Sequence, residues 1–205
     1  MYLKKSPYWL QWLYPSLTWH KNRQEKYVYL TFDDGPIPVV TPFVLKTLKK
    51  FDAGATFFCI GDNVDKHPEI FNEVLANGHR VGNHTFNHLK GWDTPDEEYL
   101  QNVEQCRTVV DSNLFRPPYG RITMAQIRKF RMQFPEMEIV MWDVLSGDFD
   151  PSISVEKCTS NVLKNVTNGS IIVFHDSTKA FPRLQHILPI VLRELQILGY
   201  SFKML

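Results

Sequence analysis

Apolar residues fall along this chain in two alternating rhythms, and the alternation predicts the fold class. Residues 27–32 (Tyr-Val-Tyr-Leu-Thr-Phe) form a short apolar run that reads as a strand. Over 38–51, Val40, Phe43, Val44, Leu48 and Phe51 recur near helical spacing. The pattern then repeats. A strand at 55–60 is followed by a helix capped by Asn63, running through Ile70, Phe71, Val74 and Leu75 to a stop at Asn77-Gly78, and by a strand at 79–82. Thr94 and Pro95 open a longer helix reaching residue 113, with Thr94-x-x-Glu97 at capping-box spacing. Strands at 114–116 and 138–142 flank a helix over 123–134. Helices over 154–168 and 183–198 surround a strand at 170–174, and 200–205 reads as a terminal strand. Repeated strand–helix units argue for a mostly parallel sheet. About seven such units in this length favour an α/β fold of one domain, an incomplete or distorted (β/α) barrel, over an open sheet. Residues 27–205 form that domain, and 1–26 an aromatic-rich extension.

Lys4-Lys5 precedes the apolar stretch from Tyr8 to Tyr14, which Gln11 interrupts and Pro15 ends. No small-residue cleavage site follows, so the chain shows no recognisable signal peptide and the cytoplasm is the default expectation. No run approaches the roughly 20 apolar residues of a membrane span. The extension is expected to pack on the domain as a strap or lid; an interfacial anchor is the lesser reading, because a cationic amphipathic face is lacking. With 43% hydrophobic and 22% charged residues and a formal net charge of +1, the composition is globular and carries no basic excess for nucleic acid. Aromatics make up 13%, enough for a rich core, with or without a carbohydrate-facing groove. Cys59, Cys106 and Cys158 are sparse and far apart, which speaks against a disulfide framework; Cys59 reads as a buried free thiol.

Chemistry concentrates at strand ends. Asp33-Asp34-Gly35, His84, Arg116, Asp148 and His175 all fall at or just after the C-terminal ends of expected strands, the rim where parallel β/α folds build their sites. Two adjacent carboxylates serve packing poorly, since burying unpaired charge is costly. His84-Thr-Phe-Asn-His88 sets two imidazoles four apart, able to grip one ion from a single helical turn. With Asp34 they make a two-histidine, one-carboxylate set suited to Zn²⁺, Co²⁺ or another first-row divalent ion. Asp33 is then free to act as a base toward water acidified by the ion. Arg116-Pro-Pro-Tyr-Gly120 reads as a rigid loop: the arginine can hold a carboxylate, and Tyr119 is the first residue after it with an N–H to offer an oxyanion. His175 ends a buried strand as a natural proton donor, and Asp148 can orient it. His20, His67, His79 and His186 lack such company and read as surface or structural residues.

In order, Thr31-Phe-Asp-Asp-Gly35, His84-Thr-x-x-His88, Arg116-x-Pro-Tyr119 and Val173-Phe-His175 closely resemble the motifs of the polysaccharide deacetylases, carbohydrate esterase family four, over residues 27–205. The resemblance implies the distorted barrel of the NodB homology domain and hydrolysis of N-acetyl groups on amino sugars in an acetylated glycan. By position it makes Asp33 the base, Asp34, His84 and His88 the metal ligands, Arg116 the residue orienting Asp33, and Tyr119 the oxyanion donor. It makes His175 the general acid paired with Asp148, with Val173 lining an acetate pocket and Tyr119, Trp142 and Phe149 meeting substrate. It also allows an extracytoplasmic location. Where the family often shows D-S-x-D-W, this chain has Leu145-Ser-Gly-Asp148-Phe149. That departure keeps two other readings open: a catalytically silent carbohydrate-binding protein on the same fold, and a hydrolase of O-acetyl esters or small amides.

Overall fold

The computed structural model describes residues 3–205, so Met1 and Tyr2 of the extension lie outside the described residues. Seven strands form one curled sheet in the order β5 (Glu138–Ile139), β4 (Leu114–Phe115), β3 (Arg80–Asn83), β2 (Thr56–Cys59), β1 (Tyr27–Asp33), β7 (Ile171–His175) and β6 (Val144–Leu145). Every neighbouring pair is parallel, and β8 (Ser201–Lys203) adds to the first three residues of β1. This is the distorted (β/α) barrel that the alternation predicts.

Period-two alternation divides each strand between two environments. Leu30, Phe32, Phe57, Cys59, Ile172 and Phe174 face outward into a layer with helices α2 (Val40–Lys50), α7 (Val155–Leu163) and α8 (Phe181–Ile197). Phe58, Leu114, Val140, Ile171 and Leu205 meet on the inside, drawn from strands spread along the sheet. Only a curled sheet brings them together. A second cluster sits between α5 (Asp96–Arg107) and α6 (Met124–Gln133), where Phe115 stacks on Phe130 and Phe130 meets Phe134 edge-on. All three cysteines are buried and free.

The sheet path ends at β5 on one side and β6 on the other, and an uncovered strand edge invites unwanted pairing. The extension covers both. Lys5 bridges Val144 antiparallel, Thr18 bridges Val140 parallel, and His20 bridges Ser170. Arg23 then reaches the buried Asp143 carboxylate at 3.1 Å. The expected strap is therefore a structural part of the barrel wall. It includes a short helix, α1 (Tyr8–Leu13), with Tyr8, Trp9, Trp12 and Leu13 exposed. Among the described residues no helix is long and apolar enough to cross a membrane.

Four expectations require correction. β6 was not expected; it is two residues long and follows β5 closely, so no apolar period marks it. The helix expected from Asn63 is two helices, α3 (Gly61–Lys66) and α4 (Pro68–Ala76), because Pro68 forces His67 out of helical geometry. Asn63 lies inside α3 and donates to the Asp34 carbonyl at 2.7 Å. Thr94 forms no capping box: its hydroxyl donates to the Lys90 carbonyl, and α5 starts at Asp96 and ends at Arg107. The box forms instead at Thr123 and Gln126, heading α6.

Candidate active site and metal centre

Side chains at the C-terminal ends of β1, β3, β4 and β7 converge on one rim. Asp34 stands just past β1 with φ of 86°, a left-handed conformation that side chains other than glycine rarely adopt. Several bonds hold it there. Asn63 binds its carbonyl, the Ile60 N–H donates to the Gly35 carbonyl at 3.0 Å, and the Gly35 N–H donates to Asp176 Oδ1 at 3.1 Å. A side chain at position 35 is impossible, because its Cβ would stand 2.0 Å from Asp176 Oδ2. Asp176 is wholly buried, accepts a bond from Thr41 Oγ1 at 2.6 Å, and ties the turn carrying Asp34 to the end of β7. Burial, with the nearby Asp34 charge adding to it, pushes the Asp176 carboxyl up to about 8. Sequence reasoning passed over this residue; its only signal is an acid directly after His175.

Asp34, His84 and His88 each offer one ligand atom, and these atoms lie within 4.8 Å of one another. His88 Nε2 is 3.2 Å and His84 Nε2 3.8 Å from Asp34 Oδ1. The two histidines do not share a helical turn as the spacing suggested. Residues 84–88 are an irregular loop with left-handed Thr85 (φ 62°) and His88 (φ 57°). Side chains satisfy the Thr85 and Asn87 N–H groups, accepted by Asn83 and Asn102, and Thr85 accepts from Leu89 just beyond the loop, while the His84 and Phe86 N–H groups donate to the Cys59 and Asn102 carbonyls. Such bonds offer the backbone an alternative to helix.

The donor set fits a divalent ion. His84 Nδ1 lies 2.7 Å from the Arg116 carbonyl, which can only accept, so Nδ1 carries the proton and Nε2 is the free donor. Burial brings His84 down to about 4, so the imidazole is neutral at physiological pH, as a ligand must be. Burial alone would raise Asp34, but the His88 hydrogen bond and the surrounding histidines hold it far below the usual carboxylate range.

Two charge pairs flank these ligands. Arg116 is fully buried in the barrel interior, its guanidinium stacked 4.0 Å from the Phe58 ring centre. Nη1 donates to Asp33 Oδ1 at 2.7 Å and to Thr31 Oγ1 at 2.8 Å, while Nε and Nη2 reach the Val140 and Met141 carbonyls. Asp33 is thereby held from across the barrel. On the β7 side, Asp148 grips His175 twice: Oδ2 accepts from the backbone N–H and Oδ1 from Nδ1, both at 2.8 Å. Burial alone would lower His175, but the Asp148 carboxylate outweighs it and raises the ring to about 9. With Nδ1 committed to Asp148, Nε2 carries the proton available for transfer.

The remaining expected residues surround this core. Tyr119 adopts left-handed φ 59°, ψ 6° within the Pro118–Gly120 turn, is 60% exposed, and lays its ring 4.6 Å from that of His88. Trp142 is half-buried beneath Gly120 and 5.8 Å from the Arg116 guanidinium, where it supports the loop. Phe149 meets the His175 ring edge-on at 5.0 Å. Val173 is buried two residues before His175 on the same face of β7. Leu145, which replaces an acid, is buried in β6 and its N–H donates to the Lys4 carbonyl, so the departure leaves the His175–Asp148 pair intact.

Comparison with known proteins agrees with this geometry. The profile of the polysaccharide deacetylase family matches residues 20–132. A peptidoglycan-N-acetylglucosamine deacetylase of Bacillus cereus is 34% identical over 191 residues, spanning 91% of this chain and 89% of that protein. A chitooligosaccharide deacetylase of Azorhizobium caulinodans is 33% identical over 162 residues, 76% of each chain. The crystal structure of a peptidoglycan N-acetylglucosamine deacetylase superposes with a TM-score of 0.88 at 29% identity, covering 98% of this chain and 95% of the other. The chain belongs to the polysaccharide deacetylase family, the amide-hydrolysing carbohydrate esterases of family four with the NodB homology fold.

Proposed function

We propose that this protein is a metal-dependent deacetylase that removes N-acetyl groups from N-acetylglucosamine-type sugars in a peptidoglycan-like or chitin-like glycan. The observation that carries the reading is a ligand triad, Asp34, His84 and His88, on the same rim as a carboxylate held by arginine and an imidazole held by aspartate. Asp34, His84 and His88 would hold a divalent ion, Zn²⁺ by preference for its ligand types, which would supply Lewis-acid polarisation of a carbonyl and a lowered pKa of water. Asp33 takes the proton of the attacking water, held in place for it by Arg116. The Tyr119 N–H donates to the oxygen on which negative charge develops. His175 Nε2 protonates the departing amine, and acetate and a free amino sugar leave. Acetate release from acetylated chitooligosaccharides and peptidoglycan fragments, abolished by a chelator and restored by Zn²⁺ or Co²⁺, tests the reading; no acetate from any of these substrates would overturn it.

The acid assignment carries a pH signature. His175 must be protonated to act, so activity is expected to fall as pH rises through its folded value of about 9. Asp148→Asn removes the charge that raises it and leaves burial, which lowers it. The Asp34 and Asp33 charges still favour the protonated ring, so the alkaline limb of the kcat profile should move down from about 9 toward the ordinary histidine value. Stability follows the same sign. The raised His175 contributes fully below about 6.5 and loses that contribution as pH approaches about 9. Unmoved alkaline limbs in Asp148→Asn would contradict the assignment.

A further inference from the structure

Beside the ligand loop the fold carries a cation that its own acids leave unpaired. The segments 88–92 and 119–122 run side by side. The His88 and Tyr119 rings touch at their inner end, the Gly91 N–H donates to the Arg121 carbonyl at 3.1 Å, and the Trp92 indole N–H donates to the Ile122 carbonyl at 3.2 Å. Glycine is required at 91, since a Cβ there would stand 2.5 Å from the Arg121 oxygen. Buried Gln126 anchors the outer end by donating to the Gly91 and Thr94 carbonyls. On that end lies Trp92, 55% exposed, with the Arg121 guanidinium 3.9 Å from its ring centre. The neighbouring Lys90 is spent on Asp93 at 2.5 Å, whereas no carboxylate comes within ion-pair distance of Arg121 among the described residues.

A guanidinium is suited to grip a carboxylate with two parallel bonds, and a fixed indole beneath it reduces the freedom lost on binding. Two residues of chain span at most about 7 Å, so the Arg121 backbone stands no farther than that from the Tyr119 backbone. We propose that Arg121 and Trp92 form a subsite for a carboxylate on the sugar next to the one being deacetylated. This rests on the deacetylase reading and deepens it: the favoured glycan is acidic, as muramic-acid-containing strands are, rather than a neutral chitin-like homopolymer.

The test compares wild type with Arg121→Gln and Arg121→Lys. The substrates are a peptidoglycan-derived tetrasaccharide with free lactyl carboxylates, its methyl ester, and chitotetraose. Acetate release gives KM and kcat, and calorimetry gives glycan binding independently of turnover. Arg121→Gln is expected to weaken binding of the free acid and raise its KM about 10-fold or more, with kcat unchanged, since charge-assisted bonds are the strong ones. The ester and chitotetraose should be unaffected, and Arg121→Lys should fall between. Equal treatment of acid and ester by the wild type, or equal losses on all three substrates in Arg121→Gln, would overturn the subsite. Charge-dependent binding without acetate release would instead leave the subsite standing and overturn the deacetylase reading.

Discussion

Replacing Asp33 by asparagine is expected to lower kcat roughly 10²–10⁴-fold, the usual contribution of a positioned general base, while metal content stays at the wild-type level. The substitution is informative because little else changes. Asparagine keeps the size of the side chain and an oxygen to accept the bond that Arg116 Nη1 makes at 2.7 Å. The ligand atoms belong to Asp34, His84 and His88, and none is altered. What is lost is the ability to take a proton. Acetate release measured beside metal content on the same preparation separates the two effects. Turnover within a few-fold of wild type would remove Asp33 from the mechanism. Loss of the ion along with activity would mean that the Asp33–Asp34 turn works as one unit.

The second large effect is expected at Arg116, on stability as well as rate. Its guanidinium is fully buried and bonds Asp33, Thr31 and the Val140 and Met141 carbonyls. Arg116→Met fills much of the same space but leaves a buried carboxylate and two carbonyls without a donor. Breaking a buried ion pair from one side typically costs about 3–5 kcal/mol, because the surviving charge is uncompensated. Urea unfolding should show a loss of that order, and acetate release should collapse as Asp33 loses its orientation. Adding Asp33→Asn to Arg116→Met removes the stranded charge, so the double variant is expected to be more stable than Arg116→Met alone. Arg116→Met as stable as wild type, or a double variant losing the sum of both single effects, would refute this account of the barrel interior.

How much of this was legible in the sequence follows from what periodicity encodes. The strands that become β1 and β7 are apolar runs ending in polar residues, and both features survive in one sequence read alone. The rim location of Asp33, Asp34, His84, Arg116, Asp148 and His175 followed from their places at strand ends. Less visible was structure made by side chains bonding to backbone. The His84–His88 loop resembles a helical spacing in sequence, yet Asn83 and Asn102 side chains bind the Thr85 and Asn87 N–H groups and the chain there takes left-handed turns at Thr85 and His88. Thr94 and Thr123 both carry capping-box spacing, and only packing around buried Gln126 decides which of them forms it. The two-residue β6 exists because Lys5 and β7 pair with it from either side, a long-range fact without local trace. Asp176 was hidden for a similar reason: its partners Gly35 and Thr41 lie 141 and 135 positions away.

The most direct measurement is a metal titration of the chelator-stripped protein, with Co²⁺ absorption reporting coordination. Asp34, His84 and His88 closing on one cation predicts saturation at a single ion per chain in the wild type, and loss of high-affinity binding in Asp34→Ala and in His84→Ala. Retention of the ion at full affinity in His84→Ala, or undiminished acetate release by the stripped wild type, would contradict it.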